Sequence, residues 1–244
     1  MNGRHLLRLA MAIIAFAMPQ IAMPQIATSD AECVVLLHGL ARTAKSMEPM
    51  ARRLEAEGYR VINQAYPSRQ HEIAVLAERY VREGVDACGP LARIHFVTHS
   101  LGGILVRQYL SKRTVDGLGH TVMLAPPNQG SEVVDNWQHV PGYDLLNGPA
   151  GRQLGTDGRS VPLALGPVTY PVGIVAGTRS INVLLSLSLP NPDDGKVSVA
   201  STKVAGMADH IEVPQAHPLI MRSERVQDQV VHFLAHGAFA HSVD

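Results

Sequence analysis

The stretch Thr98-His99-Ser100-Leu101-Gly102-Gly103 sits between an apolar run that reads as a strand (93–98) and a run at helical spacing (102–110). A serine on a sharp strand-to-helix turn has its hydroxyl lifted clear of the backbone, where it can attack a carbonyl carbon. Backbone comes close to backbone in such a turn, so small neighbours are required, and Gly102 and Gly103 supply them. The helix start behind Ser100 adds a partial positive charge. One position departs from the G-x-S-x-G pattern: Thr98 replaces the first glycine. A serine in a glycine-rich loop before a helix is also a common connector, but the flanking strand and helix favour a nucleophile.

A serine nucleophile needs a base and a group that orients the base. Asp193 and Asp194 lie in Asn191-Pro-Asp-Asp-Gly-Lys-Val-Ser198, where Asp-Gly is also a generic turn signal. His217, in Val213-Pro-Gln-Ala-His217-Pro-Leu219, and His210 are the candidate bases. A strand-like segment (210–213) leads into His217 and a helix follows it. His99 adjoins Ser100, but neighbours on a tight turn point apart, so it makes a poor base. His232 and His236 have an i, i+4 spacing that can bind metal. No third ligand accompanies them and no H-E-x-x-H pattern occurs, so no metal and no cofactor is expected.

These residues must be held by the elements around them. Cys33–Leu37 is a short continuous apolar run, the mark of a strand buried on both faces. Met47, Met50, Ala51 and Leu54 follow at helical spacing, with Gly58 as a stop. A strand is expected over 60–65, then a helical stripe of Ile73, Leu76, Ala77, Tyr80 and Val81 closed by Gly84. Further strands are expected over 93–98, 121–125 and 172–176, and a last helix over 223–235. Such alternation implies an α/β protein with a mostly parallel sheet and helices on both faces. The Gly- and Pro-rich segment 136–170 reads as an irregular excursion over the top edge of the sheet, too short for a second domain. No long-period repeat is visible after the N-terminal segment.

In this order and spacing the chain resembles the α/β-hydrolases, specifically small bacterial esterases and lipases with a minimal cap. The resemblance runs from Cys33 to Phe239. Its first marker is His38-Gly39-Leu40-Ala41-Arg42, directly after the first strand. The resemblance implies that the backbone N–H groups of Leu40 and Leu101 bind the oxyanion, and that His38 and Gly39 border the substrate. It implies Asp194, immediately before Gly195, as the acid, with Asp193 one residue of loop drift away. It implies His217 as the base, ahead of His210. The loop Ala125-Pro-Pro-Asn-Gln-Gly-Ser131 follows a strand end, so Pro126 and Pro127 are expected beside the acyl pocket. Leu184, Leu185, Leu187 and Leu189 read either as a lipid-facing flap or as packed structure. In the resembled fold the strands near Cys33 and Cys88 are parallel neighbours. Both cysteines then fall at the end of the sheet opposite the site, close enough for a disulfide.

The N-terminus reads separately. Arg4, His5 and Arg8 precede an apolar run from Leu6 to Phe16, shorter than the about 20 residues that span a bilayer. Residues 1–27 fit a secretory signal peptide, cleaved after Ala17 or Ala27, and 28–244 the hydrolase domain. A periplasmic or secreted protein is therefore expected, without a stable membrane span. A tandem repeat (18–22 and 23–27) has no functional reading.

Of the 244 residues, 46% are hydrophobic and 17% charged, which excludes a disordered chain. Lys+Arg and Asp+Glu are both 21, so there is no basic excess for nucleic acid. Two cysteines exclude a four-cysteine zinc site and a disulfide-dense scaffold. The expected function is ester hydrolysis through a Ser-His-Asp triad, on a small ester or lipid substrate. A thioesterase or acyltransferase on the same triad, and a non-catalytic binding protein on the same scaffold, are the alternatives.

Overall fold

The computed structural model describes residues 32–90 and 92–241. The proposed leader, residues 1–27, lies outside them. Six strands alternate with helices: β1 (Glu32–Leu37), α1 (Glu48–Ala56), β2 (Arg60–Gln64), α2 (Ile73–Leu76) running through a π-turn into α3 (Arg82–Cys88), β3 (Arg93–His99), α4 (Leu101–Leu110) and β4 (Leu118–Leu124). An excursion follows with α5 (Glu132–Trp137), α6 (Tyr143–Arg152) and α7 (Val161–Ala164). The chain then adds β5 (Val172–Gly177), α8 (Val183–Ser186), α9 (Val199–Thr202), β6 (Asp209–Val213) and α10 (Glu224–His236). The strands form one sheet in the order β2-β1-β3-β4-β5-β6, and every pair is parallel.

The continuous apolar runs are explained by burial on both faces. In β1, Cys33, Val35 and Leu37 join one core with the α2–α3 run and α4, while Val34 and Leu36 join a second core with α1 and α10. Each such side chain, taken fully out of water, contributes roughly 1.5–3 kcal/mol. The parallel order brings the C-terminal ends of all strands to one edge, which is where the loops carrying Leu40, Ser100 and Asp194 gather.

Two expectations change. Gly84 does not close its helix, which runs on to Cys88 and ends at Gly89 (φ 88°). Gly84 serves packing instead: a Cβ there would lie 2.6 Å from Val35 Cγ1, so glycine lets the helix rest on the sheet. The excursion between β4 and β5 carries three short helices along its otherwise irregular path. Its periodicity is masked because α6 is broken at Gly148 (φ 63°, ψ −169°), ahead of Pro149. A Cβ at Gly148 would overlap the Arg69 carbonyl, so only glycine allows this close approach.

Cys33 and Cys88 form a disulfide with Cα atoms 5.8 Å apart. It joins the start of β1 to the end of α3 and lies at the sheet edge opposite Ser100. The Arg60 guanidinium donates to the carbonyls of Ala87 and Cys88 and holds the same corner.

Candidate active site

Ser100 sits between β3 and α4 with φ 52° and ψ −119°. That region is costly for a residue with a Cβ, by about 1–3 kcal/mol, and it persists where the surroundings enforce it. Two glycines show how tightly they do. A Cβ on Gly102 would fall 2.5 Å from the Leu37 carbonyl oxygen, so α4 can start only against a bare backbone. A Cβ on Gly39 would fall 2.8 Å from His99 Nδ1 and 3.3 Å from Ser100 Cβ. Thr98, in place of the usual glycine, is fully buried in the strand and leaves the turn intact.

The two aspartates have different partners. Asp194 Oδ2 accepts from His217 Nδ1 at 2.7 Å, while Oδ1 accepts from the amides of Lys196 (3.0 Å) and Val197 (2.8 Å). The Asp194 carbonyl also accepts from the His217 amide at 3.0 Å, so the two loops are clasped through main chain and side chain together. Asp193 instead accepts from Ser186 Oγ (2.6 Å) and the Gly195 amide (2.7 Å), tying the loop to α8. His210 lies on β6, where its Nε2 meets Thr202 Oγ1 at 3.1 Å. That hydroxyl donates to the Val199 carbonyl, so His210 is the donor in this contact. The structure thus brings His217 to Asp194 and keeps Asp193 and His210 apart from them.

Because Nδ1–H of His217 donates to the carboxylate, Nε2 is left as a bare lone pair. His217 and Ser100 line the same cavity of about 720 Å³. Ser100 Oγ makes no hydrogen bond among the described residues; in substrate-free sites such bonds are commonly long and tighten on binding. The amides of Leu40 and Leu101 also make no hydrogen bond among the described residues, leaving two donors flanking the turn. Leu40 lines the cavity, whereas the Leu101 side chain is buried in the core.

Of the residues expected at the substrate, Pro127 lines the cavity, while His38, Gly39 and Pro126 are buried behind it. His38 is a structural clamp. Its ring stacks on Tyr66 with centroids 4.0 Å apart, Nδ1 donates to the Gly39 carbonyl, and Nε2 accepts from the Tyr66 amide. The Tyr66 hydroxyl donates to the His38 carbonyl. Burial lowers the His38 pKa, consistent with a neutral ring in both contacts.

Sequence reasoning gives no role to His99, yet the structure does. Its Nε2–H donates to the His217 carbonyl at 3.0 Å, and the two rings lie 4.8 Å apart. Burial, then the neighbouring His217, push its pKa well below that of free histidine, so it holds the His217 loop as a neutral donor. Arg107 of α4 was likewise missed. Its buried guanidinium reaches the Asn128 carbonyl and side chain and the carbonyls of Pro162 and Gly166, tethering the excursion to α4. No local pattern signals either role, since every partner is distant in sequence.

The excursion forms one wall of the cavity through Val134, Trp137, Val140, Tyr143 and Leu146. Leu185 of α8 joins it, Leu189 is buried, and Leu184 and Leu187 are exposed (68% and 79%). Leu145 and Leu146 are also exposed, so several leucines stand out at the cavity side of the molecule. Among the described residues no cluster of three or more His, Cys, Asp or Glu could hold a metal ion. His232 and His236 stack on each other, and each Nδ1 meets a backbone carbonyl. No helix among the described residues is long and apolar enough to cross a membrane.

No protein-family model and no curated protein matches the sequence. Solved structures do match. The lipase BlEst2 of Bacillus licheniformis in its mature form superposes with a TM-score of 0.65 at 18% identity, over 86% of this chain and 93% of that one. The metagenomic carboxyl esterase MGS0156 gives 0.64 at 19% identity, over 78% and 65%. The phospholipase PlaB of Legionella pneumophila gives 0.63 at 17% identity, over 84% of this chain and 58% of that one. The chain therefore has the α/β-hydrolase fold. Identities this low establish the fold alone.

Proposed function

We propose that this protein is a serine hydrolase that cleaves carboxylic esters through an acyl-enzyme. The observation that carries the reading is the buried 2.7 Å contact between His217 and Asp194, beside a cavity that Ser100 also lines. In this reading Nε2 of His217 takes the Ser100 hydroxyl proton as Oγ attacks the ester carbonyl carbon. The amides of Leu40 and Leu101 receive the negative charge on the tetrahedral oxygen, where each can be worth about 3 kcal/mol in the transition state. Asp194 keeps the His217 tautomer and stabilises the imidazolium that forms. His217 then protonates the departing alcohol, and water repeats the sequence on the acyl-Ser100. The apolar wall, with Pro127 beside it, suits an acyl chain.

The leader at residues 1–27 and the domain at 28–244 belong to the same proposal: an exported protein, periplasmic or secreted. The Cys33–Cys88 disulfide supports it, because such bonds persist in oxidising compartments. The test is Ser100→Ala with p-nitrophenyl butyrate and a fluorophosphonate probe. Hydrolysis and labelling should both vanish while the fold remains, and activity surviving EDTA in the parent protein is expected as well. Labelling elsewhere in the chain with turnover intact would remove Ser100 from its role.

A further inference from the structure

The cavity beside Ser100 gathers positive charge that ester hydrolysis does not itself require. Arg42 in the loop after β1, Arg69 in the loop after β2 and Lys196 in the loop after Asp194 all line it, and no Asp or Glu does. All three side chains reach solvent, and among the described residues none is in a salt bridge. Three carboxylates near them have partners elsewhere. Asp194 serves His217 and two amides, and Asp193 serves Ser186 and the Gly195 amide. Asp144, in the cleft adjoining Arg42 and Arg69, is paired with Arg152.

The clustering is local, since the whole chain balances 21 basic against 21 acidic residues. It also has a cost. The crowded surroundings, then the Arg42 charge, pull the Lys196 pKa down, and Asp194 offsets this only in part. An uncompensated set of cations in a cleft raises the local concentration of anions and is relieved by binding one.

We propose that Arg42, Arg69 and Lys196 form an anion subsite beside Ser100, so that the preferred substrate is an ester that also carries a carboxylate or phosphate. This rests on the ester-hydrolase reading above and narrows it. The apolar wall would take the hydrocarbon part and the three cations the charge, which describes an anionic amphiphile. The anion can belong to a soluble half-ester or to a lipid headgroup, and the chemistry that recognises it is the same.

Two measurements test this. The first is independent of turnover: in the Ser100→Ala protein, calorimetry compares hexyl phosphate and hexanoate with hexanol. The anions should bind more tightly than the alcohol, and the Arg42→Gln, Arg69→Gln and Lys196→Gln changes should each weaken them about fivefold, as expected for a solvent-open ion pair. Lys196→Arg keeps the charge and should keep the affinity. The second compares kcat/KM for mono-p-nitrophenyl adipate and p-nitrophenyl hexanoate, which differ in a terminal carboxylate. The ratio should exceed one, fall with each Gln substitution, and shrink as NaCl rises from about 50 to about 500 mM. Phosphatidylglycerol against phosphatidylcholine in mixed micelles separates the sources. A preference confined to the half-ester supports a soluble anion, and one for phosphatidylglycerol supports a headgroup. Equal binding of anion and alcohol, with no charge preference in any pair, overturns the subsite. Charge-dependent binding without cleavage of any ester would leave the subsite standing and remove the hydrolase reading instead.

Discussion

Replacing Asp194 by Asn changes one atom, and the structure fixes what that atom does. Asp194 Oδ1 accepts from the Lys196 and Val197 amides, and Oδ2 accepts from His217 Nδ1. An asparagine must present either its oxygen or its NH2 to those two amides. Presenting NH2 would strip one buried and one partly buried N–H donor of their acceptor, at about 1–3 kcal/mol for the buried one. The oxygen therefore stays on the amides and the NH2 faces His217. A donor there requires Nδ1 to be the lone pair, which moves the imidazole proton to Nε2 and removes the base that the proposed mechanism gives to Ser100. The wrong tautomer in a triad costs about four orders of magnitude in turnover, or about 5.4 kcal/mol of transition-state stabilisation. Asp193→Asn runs the same logic to a different result. Its oxygen keeps the Gly195 amide, its NH2 donates to Ser186 Oγ, and that hydroxyl rotates. Turnover should fall by less than about threefold, the rate equivalent of about 0.6 kcal/mol. The assay is kcat/KM for p-nitrophenyl butyrate in both variants, with thermal melts to show that each is folded. Greater damage from Asp193→Asn, or more than a tenth of the parent rate in Asp194→Asn, would refute the argument.

Arg107→Met should leave four acceptors, three buried and one partly buried, without their donor and destabilise the protein by about 4 kcal/mol, at about 1 kcal/mol each; a urea titration giving under about 1 kcal/mol would contradict the tether. Reducing the Cys33–Cys88 bond, which closes a 55-residue separation, should lower stability by about 4 kcal/mol in chain-entropy terms. For a domain of this size that is about 10 °C in melting temperature, with p-nitrophenyl butyrate turnover at room temperature unchanged; parallel loss of activity would place the bond closer to the chemistry than the fold does. Stability should also fall on acidification. His95 is buried, and burial together with Arg93 and His120 outweighs Glu32 and depresses its pKa to about 4. Its contribution is complete above the free-histidine value near 6.5 and is lost as pH drops from there towards 4, roughly 2 kcal/mol by pH 5. Denaturant midpoints that are flat from pH 7 to 5, or equal in His95→Gln and the parent, would rule this out.

Features that depend on neighbours along the chain are legible in the residues alone. Continuous apolar runs made β1 and β3 legible, because strands buried on both faces need apolar side chains at every position, and helical spacing did the same for α4 and α10. Their alternation gave the parallel sheet, and the Ser100 turn could be read from a strand, two glycines and a helix in series. The cysteine pair was legible only through the fold it resembles. Where two residues of one type stand close, the chain leaves the choice open. Asp193 and Asp194 are adjacent, and only the packing of the 191–198 loop against His217 directs one carboxylate to the imidazole and the other to Ser186. Gly84 packs the helix against Val35 instead of ending it, and Gly148 admits the Arg69 backbone, and both needs come from residues distant in sequence. His38 looked like a substrate-facing residue and is a buried clamp on Tyr66. The roles of His99 and Arg107, and the meeting of Arg42, Arg69 and Lys196 in one cavity, join loops that are far apart in sequence. Such contacts are set when the strand ends come to a common edge, and no local pattern encodes that meeting.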